Sequence, residues 1–264
     1  MKFKVFRRVV ISLAVAIAFA GCNAFEVKNE EEYDDPQMSS NNYGNEGVFY
    51  AKVENASKYR NVFEVKLMVY DKTTSRTNGN VTTFIDHYVE LARSKWKDDG
   101  FSIPFPETLA SNHFRALIRY GRPPTLIDHI QSTMAISNEN VKVSDVYFVG
   151  VDKNDNVVAT FSFVNTDEDC RTEAIFTYVD SDVTISGYTV KEGHAQPAYE
   201  GAPSWIEKTT TYSVKWEKGL NIWFFSTSNT IESYKMITSE KWSIDPVSGL
   251  KWFGSEENVW KFQI

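Results

Sequence analysis

The chain carries few side chains suited to nucleophilic or metal chemistry. It has four histidines, His87, His113, His129 and His194, and two cysteines, Cys22 and Cys170. None of the histidines stands in a His-Glu-x-x-His pattern or beside a Cys-x-x-Cys, so zinc ligation has no support from spacing. His129, after Asp128 and near Arg122, is the best placed for catalysis because it falls in an irregular stretch, and loops carry function more often than cores do. Cys170 ends the acidic run Asp167-Glu168-Asp169. Neighbouring carboxylates disfavour the thiolate, which makes it a poor nucleophile. Asp152-x-Asn154-x-Asn156 imitates the start of a calcium loop, but Val157 replaces the glycine and Phe163 the bidentate glutamate that such a loop needs. A hairpin turn accounts for it better; a weak calcium site stays open only if Asp167, Glu168 and Asp169 meet that turn. There is no Gly-x-Ser-x-Gly elbow and no phosphate-binding glycine loop, and the 13 glycines are scattered. No catalytic residue, metal or cofactor is assigned, and the chain is not expected to be an enzyme.

Cys22 is different. Lys2, Lys4, Arg7 and Arg8 precede a run from Val9 to Ala20 that is apolar except for Ser12, and Phe19-Ala20-Gly21 leads into the cysteine. A basic start, a short apolar run and small residues before a cut mark an export signal over 1–21, too short for a spanning helix of roughly 20 apolar residues. A cysteine at the cut resembles a bacterial lipobox, in which the thiol is acylated and becomes the new N-terminus. Two or more acyl chains give stable membrane attachment. The signal holds four positive charges and no acid, so the remainder is more acidic than the −7 of the whole chain. Such a surface repels phosphate backbones and anionic head groups, which argues against nucleic acid as a partner.

The remaining signal is aromatic. Six of the seven tryptophans lie between Trp205 and Trp260. Alternation from Tyr212 to Trp216 places Trp216 on an apolar face. In Leu220-Asn221-Ile222-Trp223-Phe224-Phe225 the aliphatic face excludes Trp223 and Phe225, which point to an outer face or a second packed layer. Trp205 follows a Gly-Ala-Pro-Ser loop. Trp205, Trp223 and Trp242, with Tyr199 at the rim, are the candidate residues for stacking on sugar rings. Packing in a β core is the alternative.

The elements that position these residues read as β. Residues 22–46 form an acidic tether with too little apolar surface to fold. Val65, Leu67 and Val69 share one face of a strand from Val62 to Tyr70, and Asp71 to Asn80 reads as a polar loop turning at Asn78-Gly79. Phe84 to Trp96 fits a strand or a short helix, with β-rich flanks favouring extended chain. Asp98-Asp99-Gly100 turns into Phe101 to Phe105. Leu109, Phe114, Leu117 and Ile118 fit a short helix ended by Gly121-Arg122-Pro123-Pro124. Strands then follow at Val141–Val151, Val157–Val164, Ala174–Val179, Val183–Tyr188, Thr210–Trp216 and Leu220–Phe225. Lys241–Ile244 and Leu250–Phe253 flank a final hairpin loop. This pattern excludes a parallel α/β fold. It predicts an all-β chain of two antiparallel β-sandwich-like domains: an immunoglobulin-like domain over 47–109, a partly helical connector over 110–140, and a larger sandwich or barrel-like domain over 141–264.

Asn55-Ala56-Ser57 before a Val/Leu strand, Gly100-Phe101-Ser102-Ile103-Pro104-Phe105-Pro106, Tyr178-Val179-Asp180-Ser181-Asp182-Val183 and Trp216-Glu217-Lys218-Gly219-Leu220-Asn221 together resemble uncharacterised Bacteroidota cell-surface lipoproteins. The resemblance implies lipidation at Cys22, a location in the outer membrane and β-sandwich domains. It implies no activity. Acids soon after the cysteine, from Glu26 and densely from Glu30, resemble the signal that sends such lipoproteins to the cell surface, with a periplasm-facing anchor as the alternative. The expected role is a non-catalytic, lipid-anchored module that binds glycan or another extracellular ligand. The alternative is a structural or protein-interaction subunit of an envelope assembly.

Overall fold

Alternation of apolar and polar residues builds fifteen strands among the described residues of this computed structural model, which describes residues 48–262 apart from 79–80, 118–128, 167–169, 195–203, 233–234 and 258. The segment 1–21, Cys22, the stretch 22–46 and Tyr199 lie outside those residues. The strands are β1 (Val48–Lys52), β2 (Glu64–Asn78), β3 (Val81–Lys95), β4 (Gly100–Pro104), β5 (Arg115–Ala116), β6 (His129–Ser132), β7 (Ala135–Ile136) and β8 (Lys142–Val151). They continue with β9 (Val157–Thr166), β10 (Arg171–Val179), β11 (Val183–His194), β12 (Trp205–Trp216), β13 (Gly219–Glu232), β14 (Lys235–Ser243) and β15 (Lys251–Ser255). The chain is all-β. Among the described residues no helix is long and apolar enough to cross a membrane.

One sheet runs in the order β3-β2-β8-β9-β10-β13-β14-β12-β11-β6, and β1 pairs separately with β4. Pairing is antiparallel except between β12 and β14, which run parallel. The division expected near residue 109 is not seen: β2 pairs with β8 from Glu64↔Val151 to Val69↔Val146, and the described residues fall in one compact unit.

Among the described residues of 110–140 no α-helix is found; 118–128, with Ile118 and Gly121-Arg122-Pro123-Pro124, lie outside them. Ser111–His113 is a single 3₁₀ turn, and β5, β6 and β7 are short strands. The reason lies in what the apolar residues reach. Leu109 and Phe114 pack on one core while Leu117 is buried in another, so they do not form one helical face. The stretch from Asp71 is not a loop: β2 runs on to Asn78 and pairs with β3 down to Asn78↔Val81. The last hairpin is also absent, because β15 pairs with β9 while β14 lies between β13 and β12.

Two main cores lie on opposite faces of β10 and β13. The first holds Val65, Leu67 and Val69 of β2, Phe148, Phe176, Phe224 and Trp252, and β1 and β4 close it with Phe49 and Ile103. The second holds Val143, Val179, Ile185, Val214, Trp216 and Trp223. Alternate residues of β10 and β13 therefore feed different cores, as a period of two requires. The hairpin joining β3 to β4 turns at Asp98 and Asp99, both with positive φ (47° and 62°), the conformation a two-residue type I′ turn demands. At the far side of the first core the Asn55 side chain acts as a strand segment. Its Nδ2–H donates to the Gly254 carbonyl at 2.9 Å and its Oδ1 accepts from the Gly254 N–H at 2.8 Å.

Candidate functional site

The register of β12, β14 and β13 brings two of the sequence candidates together. Tyr212 lies opposite Trp242, and Trp242 opposite Phe225, so three aromatic residues form one row across three strands. Trp242 meets Tyr212 edge to face at 5.2 Å and Trp223 at 4.7 Å; Trp223 continues to Trp216 at 5.7 Å. Trp223 is only 8% exposed. It belongs to the second packed layer, not to an outer face, and its indole N–H donates to Thr177 Oγ1 at 3.0 Å. Trp242, Tyr212 and Phe225 are half-buried. They form the step where the core gives way to the polar part of the sheet. Gly187 lies opposite Tyr212 in β11. Its φ is +98°, and a Cβ there would lie 2.4 Å from the Thr133 carbonyl oxygen, so glycine is required for β11 to pass beside the Thr133 backbone.

Beyond the aromatic row the same face turns polar. Two residues along each strand, Thr189, Thr210, Glu240 and Thr227 align, about 7 Å further on. Thr210 Oγ1 donates to Glu240 Oε2 at 2.9 Å and Lys208 pairs with Glu240 Oε1. Thr238 donates to Asn229 Oδ1 at 2.8 Å in the row after that. The face thus combines ring surface with hydroxyls, a carboxylate and an ammonium, at strand spacing.

Trp205 is not part of this arrangement. It lies seven residues from Tyr212 on β12, hence on the opposite face and about 24 Å away along the strand, with His194 edge to face at 4.7 Å. Tyr199 lies outside the described residues. His129 is exposed at the head of β6, opposite Glu192.

A second polar cluster escaped the sequence reading. Arg115 on β5 reaches Asp145 on β8 (3.5 Å) and Asp86 on β3 (3.6 Å), with its guanidinium 5.1 Å from the Tyr70 ring centroid. Thr177 donates to Asp145 Oδ1 at 2.8 Å and Thr73 to Asp86 Oδ1 at 2.6 Å. Burial pushes the Asp145 carboxyl above the usual carboxylate range, against the lowering effect of Thr177 and Arg115. Burial, with Asp145 nearby, raises the Tyr147 phenol as well. Only the register of distant strands assembles these groups; Arg115 and Asp145 carry no local motif.

Among the described residues no group of three or more His, Cys, Asp or Glu side chains is arranged to hold a metal ion. The Asp152 carboxylate accepts the backbone N–H of Asn154 (2.8 Å) and Asn156 (2.9 Å), which commits it to the hairpin turn. Asp167, Glu168 and Asp169 lie outside the described residues. In comparisons with known proteins the chain matches no family model, no curated protein and no solved structure.

Proposed function

We propose that this is a lipid-anchored envelope protein, attached through Cys22, that binds glycan on the face formed by β11, β12, β14 and β13 and carries out no catalysis. The observation that carries the reading is the Tyr212–Trp242–Phe225 row followed by the Thr189–Thr210–Glu240–Thr227 row. Rings supply apolar area and orientation, and the half-buried Glu240 and Thr227 of the polar row, backed by the buried Thr189 and Thr210, supply partners for sugar hydroxyls. We read the fold as two sandwich-like layers that share β10 and β13. The sequence resemblance to Bacteroidota surface lipoproteins and the acidic stretch after Cys22 support display at the outer membrane surface.

A second reading, a subunit of an envelope assembly, draws on the distal end of the same face. There Ile206, Met236 and Ile231 align, and Ile231 is 63% exposed. Exposed apolar residues of this kind mark protein contacts.

The deciding experiment is a polysaccharide panel against residues 23–264, read by tryptophan fluorescence and gel retardation. Saturable binding that is lost in Trp242→Ala, with the unfolding midpoint of that variant close to the parent's, supports the glycan reading. No binding across the panel, or binding that survives Trp242→Ala, refutes it.

A further inference from the structure

Strands β8, β9 and β10 do not make one continuous ladder. β8 pairs with β9 from Val151 back to Phe148↔Phe161, and with β10 only at and before Asp145↔Thr177. β9 pairs with β10 from Phe163↔Ala174 onward. Val146 and Tyr147 of β8, Ser162 of β9, and Ile175 and Phe176 of β10 fall between the three ladders. Their pairings are with β2, β15 and β13 on the other edges. Consecutive strand residues direct their N–H and C=O to opposite edges, so β8 and β10 each turn backbone polar groups into the gap. Such groups need partners when they leave water.

A cavity of about 310 Å³ occupies this place. Phe148, Phe161, Phe163, Phe176 and Trp252 line its apolar side, with Trp252 stacked on Phe163 at 5.4 Å. Asp145, Tyr147, Ser162 and Glu173 supply polar groups, and exposed Arg171 and Glu257 stand at its mouth. The acids are largely balanced: Asp145 pairs with Arg115 at 3.5 Å and Glu173 with Arg171 at 3.6 Å.

We propose that this cavity binds one ring of a neutral sugar, or a polyol of that size. By strand alternation Asp145, Tyr147, Ser162 and Glu173 stand on one face of the sheet and Phe148, Phe161, Phe163 and Phe176 on the core face. The gap therefore sets a polar rim over an aromatic floor, and a polyhydroxylated ring meets both: its hydroxyls match the carboxylates, guanidinium and backbone groups, and its C–H face lies on the rings. An organic anion meets Asp145, Glu173 and Glu257. A purely apolar ligand leaves those groups desolvated without partners. The volume is at the lower end of the roughly 300–1,000 Å³ of small-molecule sites, which suits one ring and excludes a chain. The cavity is distinct from the β12–β14–β13 face, and the proposal stands whether or not that face binds glycan.

The test is calorimetric titration of residues 23–264 with glucose, galactose, mannose, N-acetylglucosamine and glucuronate. At least one neutral sugar is expected to bind saturably in the millimolar range, with glucuronate weaker. Glu173→Gln, which keeps the shape, is expected to weaken binding about 10-fold. Ser162→Leu, which fills the gap, is expected to abolish it, and Lys215→Ala on an exposed position of β12 to leave it unchanged. Unfolding midpoints control for folding; should Ser162→Leu not fold, Glu173→Gln decides. No saturation by any neutral sugar, tighter binding of glucuronate, or unchanged binding in Glu173→Gln overturns the proposal. The polysaccharide panel reads the other face, so each idea can fail alone.

Discussion

Removing Arg115 should expose how much of the fold rests on one polar bridge. The Arg115 side chain is 18% exposed and that of Asp145 13%, so the pair is largely out of water. Arg115→Ala leaves the Asp145 carboxylate with Thr177 in surroundings that already raise its pKa. Deleting one partner of a buried pair costs about 3–5 kcal/mol. The Asp86 end of the bridge is more open, so a loss of about 2–4 kcal/mol is expected at neutral pH. The sign of the pH dependence is fixed. A carboxyl whose folded pKa lies above its unfolded value is favourable below the unfolded value and loses that advantage as pH rises through the folded one. Without the guanidinium the folded pKa climbs further, at about 1.4 kcal/mol per unit. The penalty is therefore largest at neutral pH and shrinks toward about pH 4, where an unfolded aspartate also protonates. Urea unfolding at both pH values measures it. Arg115→Ala/Asp145→Asn should recover part of the neutral-pH loss, since no charge is then stranded. A loss below about 0.5 kcal/mol, the same loss at both pH values, or no recovery in the double variant refutes the reasoning.

Trp252→Ala is expected to cost about 3–5 kcal/mol in chemical denaturation, because the ring is 4% exposed and touches Phe49, Phe101, Phe148 and Phe163. Asn55→Ala should cost about 1–3 kcal/mol and remove hydrogen-exchange protection at the Gly254 amide, which donates to Asn55 Oδ1; retained protection there would contradict the assignment. Asn156 and Asn154 hold the Asp152 carboxyl below the usual range, so its contribution is present above the unfolded pKa of about 3.9 and fades as pH falls through the lower folded value. An NMR titration of Asp152 should therefore have its midpoint below that of a free aspartate, and Asp152→Ala should flatten this part of the acid limb.

Alternation made the strands legible wherever one face met a core. Val65, Leu67 and Val69 share the buried face, and Trp223 and Phe225 turn away from Leu220 and Ile222. The same cue failed where strands continue past the cores. Residues 191–194, 207–209, 226–232 and 235–240 are strand in the structure, yet their Thr, Ser, Lys and Glu residues alternate nothing that hydropathy detects. The polar row beside Trp242 was missed for that reason. Its aromatic neighbours were found as types but not as a set, because the parallel pairing of β12 with β14 is set by tertiary structure. The helix expected around Leu117 failed because helical spacing counts apolar residues without knowing that they serve two cores. The cavity between β8, β9 and β10 depends on where three ladders part, which no local pattern encodes.

The union of Asn55 with Gly254, reinforced by the bridge between Val53 and Trp252, has a consequence in time. These partners are 199 residues apart, and synthesis at about 5–20 residues per second separates their emergence by on the order of 10–40 s. Until Trp252 arrives, the first core lacks the ring that Phe49, Phe148 and Phe176 surround. Contacts of such long range slow folding further. The aromatic residues of that core therefore stay uncovered on a partly synthesised chain, and the core locks only when β15 appears.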